Sequence, residues 1–303
     1  MIVQNAFGQK EKVEELLNKS MIQKNAREIH NWMQYSFDPA NMFCFYEEDI
    51  LVSVLQTRNT QMNFNGQKLK VSAIELAATL PDYQKRGYFK ALLDAYIEKS
   101  SHNTLISYVY TQAPKLFESR SFTSISSSKE YWILANKCPS GKPKLVSNYK
   151  NEVYLFPLYQ EFLSHFDGSV CCDSNRFQQL LRIWQSSNKH IVTARDEQGN
   201  VNGFAFVENL QNYFRIHTIV YLNGSTIVNI LNYLLLQKEG VQLITSQYER
   251  IDKLMKLDKP KDHAKCMFRL NNHKLFSELQ GENVRNIKQV FEFIELPNWN
   301  LLI

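Results

Sequence analysis

No run of about 18 apolar residues occurs anywhere in this chain, which excludes an ordinary membrane-spanning helix. The opening residues, MIVQNAFGQKEK, lack the apolar centre of a secretory signal. Cysteine is scarce. Cys44, Cys138, Cys171, Cys172 and Cys266 form an odd set without framework spacing, which argues for small buried thiols in a reducing compartment. The cytoplasm is the expected location, with no membrane partner. Cys171 and Cys172 are no metal pair, because neighbours on a strand face opposite sides. The histidines show no metal spacing, the nearest approach being His263 and His273 with Cys266 between them, so no metal is expected. The net charge of +5 comes without the strong basic stripe of a nucleic-acid binder, and no nucleic acid is expected as a partner. No nucleophilic Ser or Cys motif is present. What the chain does have is apolar material. At 44% hydrophobic and 13% aromatic over 303 residues, it can build one large or two ordinary cores, and 21% charge is too little for disorder.

The most informative stretch is Ala77 to Leu93, AATLPDYQKRGYFKALL. An apolar strand runs into a turn, then Gln84-Lys85-Arg86-Gly87-Tyr88-Phe89, then a helix. The first N–H groups of a helix lack intrahelical partners, and successive turn N–H groups can form a concave nest, so this order builds an anion site from backbone atoms. Gly87 permits close backbone approach, while Lys85, Arg86 and Lys90 add positive charge.

The same stretch resembles the Q/R-x-x-G-x-G/A motif of the GNAT N-acetyltransferases, which cradles the pyrophosphate of acetyl-CoA. Phe89 stands where the pattern has a small residue. The preceding Ala-Thr-Leu-Pro-Asp-Tyr is similar to the V-A-T-x-P-E-Y of the Eis-like (enhanced intracellular survival) branch, whose members also often carry a larger residue at the position of Phe89. The resemblance implies acetyl-CoA as cosubstrate. It implies a binding set of Ala77, Ala78, Thr79, Lys85, Arg86, Gly87, Tyr88, Phe89 and Lys90. An ordinary β-turn-α connection would share the Gln-x-x-Gly alone; the strand–loop–helix context is what carries the likeness.

Along the chain, helical spacing covers residues 8 to 37 through Val13, Leu16, Leu17, Met21, Ile22 and Ile29. Strands are expected at 43–46, 50–57, 71–80, 104–110 and 124–134, with an acidic turn at Glu47-Glu48-Asp49 and a hairpin signal at Asn65-Gly66. Helices are expected at 88–99 and 115–120. The fold class is α/β (α+β), a mixed sheet with helices on both faces, and the usual first strand is short or missing. Residues 136–148 read as a linker rich in Pro, Gly, Ser and Lys. The pattern then partly repeats, with a helix at 176–184, strands at 189–196, 202–208 and 213–221, a helix at 225–237 and a strand at 241–246. This second half resembles another GNAT unit. Its loop, Tyr221-Leu222-Asn223-Gly224-Ser225, has neither a basic residue nor Q/R-x-x-G, so no CoA pyrophosphate is expected there. The expected domains are 1–135, 149–265 and a remnant at 266–303. By resemblance the remnant begins the family's sterol-carrier-like domain at Cys266-Met267-Phe268-Arg269-Leu270.

Acetyl transfer to an amine needs a polarised thioester carbonyl, a neutral amine and a proton for the leaving thiolate. Resemblance assigns the polarising groups to Ala77, Ala78 and Thr79. The proton donor in Eis-like enzymes is a Tyr, and its place here is Phe117, which has no proton to give; the Gly that follows is Ser121. Tyr108 and Tyr110 lie on the strand leading to this place, and either Tyr, or water, could supply the proton. Base candidates are Glu75 on the central strand and the carboxylate of Ile303, since the family's C-terminus can enter its active site and the tail here is apolar. His30, Trp32 and Tyr35 lie on a helix that would flank the acceptor. The expected activity is direct acetyl transfer from acetyl-CoA to a primary amine, on a small molecule or a lysine side chain. Two alternatives stay open: an acyl-CoA-binding protein that has lost catalysis, and an aminoacyl-tRNA-dependent transferase. Resemblance also implies a homo-oligomer.

Overall fold

The structure is a computed structural model and describes residues 1–21, 26–150, 155–185 and 189–294. Ile303 lies outside these residues. The chain forms two compact units. Met1–Met62, Lys68–Ile125 and Cys266–Phe293 make the first; Asn63–Gln67, Ser126–Lys265 and Ile294 belong to the second.

The first unit opens with β1 (Ile2–Val3), α1 (Lys10–Ser20) and α2 (Ala26–Tyr35). Next come β2 (Met42–Glu47), β3 (Ile50–Phe64), β4 (Gln67–Thr79), α3 (Tyr88–Asn103), β5 (Ile106–Thr111) and α4 (Lys115–Glu118). The second unit holds most of β6 (Thr123–Leu134), then β7 (Val146–Asn148), α5 (Phe156–Ser164), β8 (Val170–Cys171), α6 (Ser174–Trp184) and β9 (Lys189–Arg195). It continues through β10 (Val201–Asn209), β11 (Tyr213–Tyr221), α7 (Gly224–Leu235) and β12 (Gly240–Ser246). Along β13 (Lys261–Leu270) the chain returns to the first unit, which ends in α8 (His273–Gln280) and α9 (Ile287–Glu292).

In the first unit the strand order is β1-β2-β3-β4-β5, with β13 beside β5. Tight turns join the antiparallel neighbours. Glu48 and Asp49 (φ 45 and 66) and then Asn65 and Gly66 (φ 48 and 73) all take the positive φ that two-residue hairpins require. β4 and β5 run parallel, and a parallel pair needs a crossover, which α3 provides. Period-two alternation sorts the side chains to two faces. Cys44, Val54, Leu76 and Ala78 pack with Val13, Leu16, Leu17, Ile29 and Met33 of α1 and α2. Phe43, Leu55, Ile74 and Val109 pack with Leu92, Leu93 and Tyr96 of α3. Ile74 and Leu76 share a parity yet lie on opposite faces, so the alternation of β4 breaks at Glu75.

The second unit repeats this plan in the order β6-β12-β11-β10-β9-β7. The parallel ladder of β11 and β12 again spans four residues, from Tyr213↔Gly240 to Ile216↔Leu243. Its antiparallel register with β10 steps from Val207↔Ile216 to Phe206↔Thr218, leaving His217 as a bulge. α7 covers one face through Ile227, Ile230, Leu231 and Leu234. α5 and α6 cover the other through Phe162, Phe177 and Trp184.

Several segments depart from the sequence reading, among them β3, which runs on to Phe64, and β8, α8 and α9, which have no counterpart in it. The expected helix over 8–37 is two helices, α1 and α2. The 136–148 segment contains β7, which pairs with β9 at Val146↔Ala194. The sequence reading has no counterpart to α5, although Leu158, Tyr159, Phe162 and Leu163 recur at i, i+1, i+4 and i+5 on one buried face. Cys266–Phe293 group with the first unit. Met267 packs among Phe43, Leu92 and Tyr96, and the Asn271 N–H donates to the Leu105 carbonyl at 2.8 Å.

Candidate active site

The parallel ladder between β4 and β5 runs from Val71↔Ile106 to Ile74↔Val109 and stops, although both strands continue. Beyond that point they diverge around a cleft of about 730 Å³, within the range of small-molecule sites. Glu75, Ala77, Ala78, Thr79, Lys85, Gly87, Tyr88, Phe89, Lys90 and Tyr110 all line it. The far flank of β4 is held by β3. Ser53 Oγ, fully buried, donates to the Ala78 carbonyl at 3.1 Å and lies 2.8 Å from Thr79 Oγ1, and the Leu80 N–H donates to the Val52 carbonyl.

The loop that follows is shaped by backbone conformation. Gln84 Nε2 reaches back to the Thr79 carbonyl at 3.3 Å. Lys85 takes φ +64 and Gly87 φ +89, both left-handed, which curls the chain into the first turn of α3. A lysine at such a φ is uncommon, and strained backbone of this kind concentrates at ligand-binding loops. Gly87 is the N-cap of α3 and brings no capping side chain, so the first-turn N–H groups face the cleft uncapped beside Lys85 and Lys90.

Arg86, expected in the binding set, turns outside the cleft. Its guanidinium stacks 5.0 Å from the centre of the Tyr83 ring and lies 3.9 Å from Glu47. The Tyr88 hydroxyl donates to the same carboxylate at 2.6 Å. Sequence reasoning missed this role of Glu47, because nothing in the acidic β2–β3 turn marks its distance to a loop some forty residues on.

At the inner end, Glu75 is the first residue past the ladder. Its Oε1 accepts from Arg58 Nε at 2.6 Å and its Oε2 from Gln56 Nε2 at 3.1 Å. Burial works against the Arg58 charge, but the Glu75 contact outweighs it and holds the guanidinium above its ordinary value. Each carboxylate oxygen thus already accepts a charged or amide donor, an arrangement suited to a fixed ion rather than a mobile base. Gln56 and Arg58 alternate on β3 in a manner typical of any half-polar strand, so their sequence carries no signal of this pairing.

Of the two tyrosines on β5, Tyr110 lines the cleft, whereas Tyr108 is buried and stacks on Phe268 with ring centres 5.8 Å apart. Phe117, also lining the cleft, packs edge-on against Phe89 at 5.5 Å and Phe122 at 5.7 Å. Two of the departures from the family's patterns, Phe89 and Phe117, are therefore in contact. Arg120, just after α4, forms a two-pronged pair with Asp94 of α3 at 2.5 and 2.7 Å, which ties the Phe117 segment to that helix. Trp32 packs against the α1–α2 core cluster, and His30 lies 3.1 Å from Glu14.

Residues 2–125 match the family model described as an acetyltransferase (GNAT) domain. This segment is a GNAT acetyltransferase domain. The likeness in fold extends past it. A GCN5-related N-acetyltransferase from Anabaena variabilis shares 14% identity over 90% of this chain and 73% of its own, with a TM-score of 0.73. A second, from Kribbella flavida, shares 15% over 89% and 70%, with a TM-score of 0.67. Eis1 from Mycobacterium abscessus shares 11% over 90% and 74%, with a TM-score of 0.63. No curated protein matches the sequence. GNAT acetyltransferases use acetyl-CoA or another acyl-CoA, and the uncapped turn with its two lysines fits the phosphates of such a ligand. Among the described residues no group of three or more His, Cys, Asp or Glu could hold a metal, and no helix is long and apolar enough to cross a membrane.

In the second unit the corresponding strand ends are bridged. Glu249, fully buried, accepts from the Ser246 N–H at the end of β12 (2.7 Å) and from the Tyr221 hydroxyl at the end of β11 (3.1 Å). Asn223 caps α7 by accepting from the Thr226 N–H at 3.0 Å, a bond the Gly87 cap does not offer. Ile251 and Met255 close over the Ile219–Ile227 core from the same segment as Glu249.

Proposed function

We propose that this chain is an acetyl-CoA-dependent N-acetyltransferase of the Eis-like kind, working from one GNAT cleft. One observation carries this reading: the diverging ends of β4 and β5 open onto an uncapped helix N-terminus that holds Lys85, Gly87 and Lys90. Turn N–H groups would bind the pyrophosphate, with Arg86 supplying charge from outside the cleft. Backbone groups of Ala77, Ala78 and Thr79 would hold the pantetheine arm and polarise the thioester carbonyl. A primary amine, deprotonated, attacks that carbonyl and releases the thiolate. Tyr110, which lines the cleft, is proposed as the donor that returns a proton to it, and the amine's proton passes to solvent through a water chain. The second unit is read as a GNAT-like half in which Glu249 and the Asn223 cap leave no phosphate loop. A homo-oligomer and a cytoplasmic location belong to the same proposal, as does the likeness of Cys266-Met267-Phe268-Arg269-Leu270 to the first strand of a sterol-carrier-like domain.

Calorimetry with acetyl-CoA on the wild type and on Gly87→Glu tests the cleft. Micromolar binding that the carboxylate abolishes is the expected result; no binding at millimolar acetyl-CoA would sink the reading. The Phe117–Phe89 contact favours a second reading, an acyl-CoA binder without turnover. It predicts the same binding but no thiol release with a broad panel of amines.

A further inference from the structure

Among the described residues that line the cleft, Glu75 is the single acid, and Lys85 and Lys90 line the same cleft. Its surroundings decide what that acid can do. Its side chain is 17% exposed, and Arg58, at 23%, contacts it from β3. Arg58 Nη2 also donates to the Ser36 carbonyl at 3.1 Å, and Gln56 Nε2 donates to the same oxygen at 2.8 Å. Gln56 is fully buried, and its Oε1 accepts from the Asp38 N–H at 2.9 Å. The end of α2, β3 and the break in β4 are thus locked into one network with Glu75 at its cleft-facing end. The carboxylate is a half-buried ion whose charge is already cancelled.

We infer that Arg58, acting through Glu75, sets the acceptor class, restricting the cleft to primary amines that carry no second positive charge. The inference rests on the transferase reading above. An attacking amine enters the reaction uncharged, so a neutral inner end suits it. A second ammonium on the acceptor would lose water against a carboxylate that Arg58 has neutralised, in a cleft with two lysines, and nothing there would repay its desolvation. Arg58 is a positioning residue, since the inference has it act on the acceptor only through Glu75.

The test compares hexylamine with hexane-1,6-diamine, equal in length and differing by one charge. Transfer is followed by thiol release and acceptor binding by calorimetry, so the comparison survives slow turnover. The wild type is expected to bind and acetylate hexylamine about tenfold better than the diamine, after the statistical factor of about two is allowed for. Removing the compensating charge in Arg58→Met should raise the diamine-to-monoamine ratio about tenfold, as a bare carboxylate within a few ångströms would. Arg58→Lys should restore the wild-type ratio, and Glu75→Gln, which leaves Arg58 unbalanced, should lower it. These opposite directions separate selectivity from simple loss of structure, and acetyl-CoA binding by each variant checks its fold. A wild type that takes the diamine as well as hexylamine, or better, overturns the inference. So does a ratio unmoved in both Arg58→Met and Glu75→Gln. Failure of the wild type to bind acetyl-CoA would instead overturn the transferase reading.

Discussion

Gly87 and Ser121, like Lys85, occupy backbone conformations that favour glycine, and the first two differ in consequence. Gly87 at φ +89 has the residue type its conformation favours, and a Cβ there would meet nothing within 4 Å, so the constraint is purely torsional. Ser121 at φ +62 stands where the Eis-like pattern has Gly and bears the strain of a side chain in the left-handed region. Ser121→Gly is expected to stabilise the fold by about 1 kcal/mol, read as a rise in Tm without change in acetyl-CoA affinity. Phe117 is the second residue-scale departure. Its ring already faces the cleft, so Phe117→Tyr adds a hydroxyl without a new packing arrangement. If thiolate protonation limits turnover, kcat should rise about tenfold or more while KM for acetyl-CoA stays constant. An unchanged kcat would place the limiting step elsewhere.

At the scale of elements, the same device is used twice with opposite outcomes. Both parallel pairs zip for four residues and then part, and both inner strands break their alternation at the parting, at Glu75 in β4 and at the bulge His217 in β11. Each break residue is held by the neighbouring antiparallel strand: Glu75 by Arg58, and His217 by Glu208 at 2.8 Å. What differs is the segment after the outer strand. After β12 the chain bends back and inserts Glu249 between the strand ends. Burial pushes the Glu249 carboxyl up to about 7 from an ordinary value of 4.5. The unfolded chain ionises this group near 4.5 while the folded protein keeps its proton to about 7, so across that interval the unfolded state binds fewer protons. Stability should therefore be greatest below pH 4.5 as far as this group is concerned, fall by about 3 kcal/mol as pH rises to about 7, and then level. Glu249→Gln keeps one acceptor oxygen for the Ser246 N–H, sets its amide N–H against the Tyr221 hydroxyl, which can accept, and removes the ionisation. Denaturant unfolding from pH 5 to 8 should show a flatter profile for the variant, and equal slopes would refute the account.

At the scale of the whole molecule, ligand and fold are linked through the first unit. Acetyl-CoA at 100 times its Kd should stabilise the protein by about 2.7 kcal/mol. Hydrogen exchange should slow in the 79–91 segment and along β4, while α7, whose N-terminus is already capped by Asn223, should exchange as before. Equal protection at α7 would place a second ligand in the second unit.

Much of this architecture was legible in the residues themselves. The strand–loop–helix of 77–93, the Asn65-Gly66 hairpin, the short first strand and the repeat from 189 to 246 are local features. They are written in turn residues and in periods of two and 3.6, which act over a few neighbours. Tertiary structure alone decided the rest. The neutralisation of Glu75 by Arg58, the turning of Arg86 to Glu47, the stacking of Tyr108 on Phe268 and the bridging by Glu249 each depend on strand register or on segments distant in the chain. A one-residue slip would send Arg58, Glu75 or Tyr108 to the opposite face of its strand. Composition and spacing are blind to register, so the sequence located the cleft and its loop, while packing settled which of its charges the cleft can use.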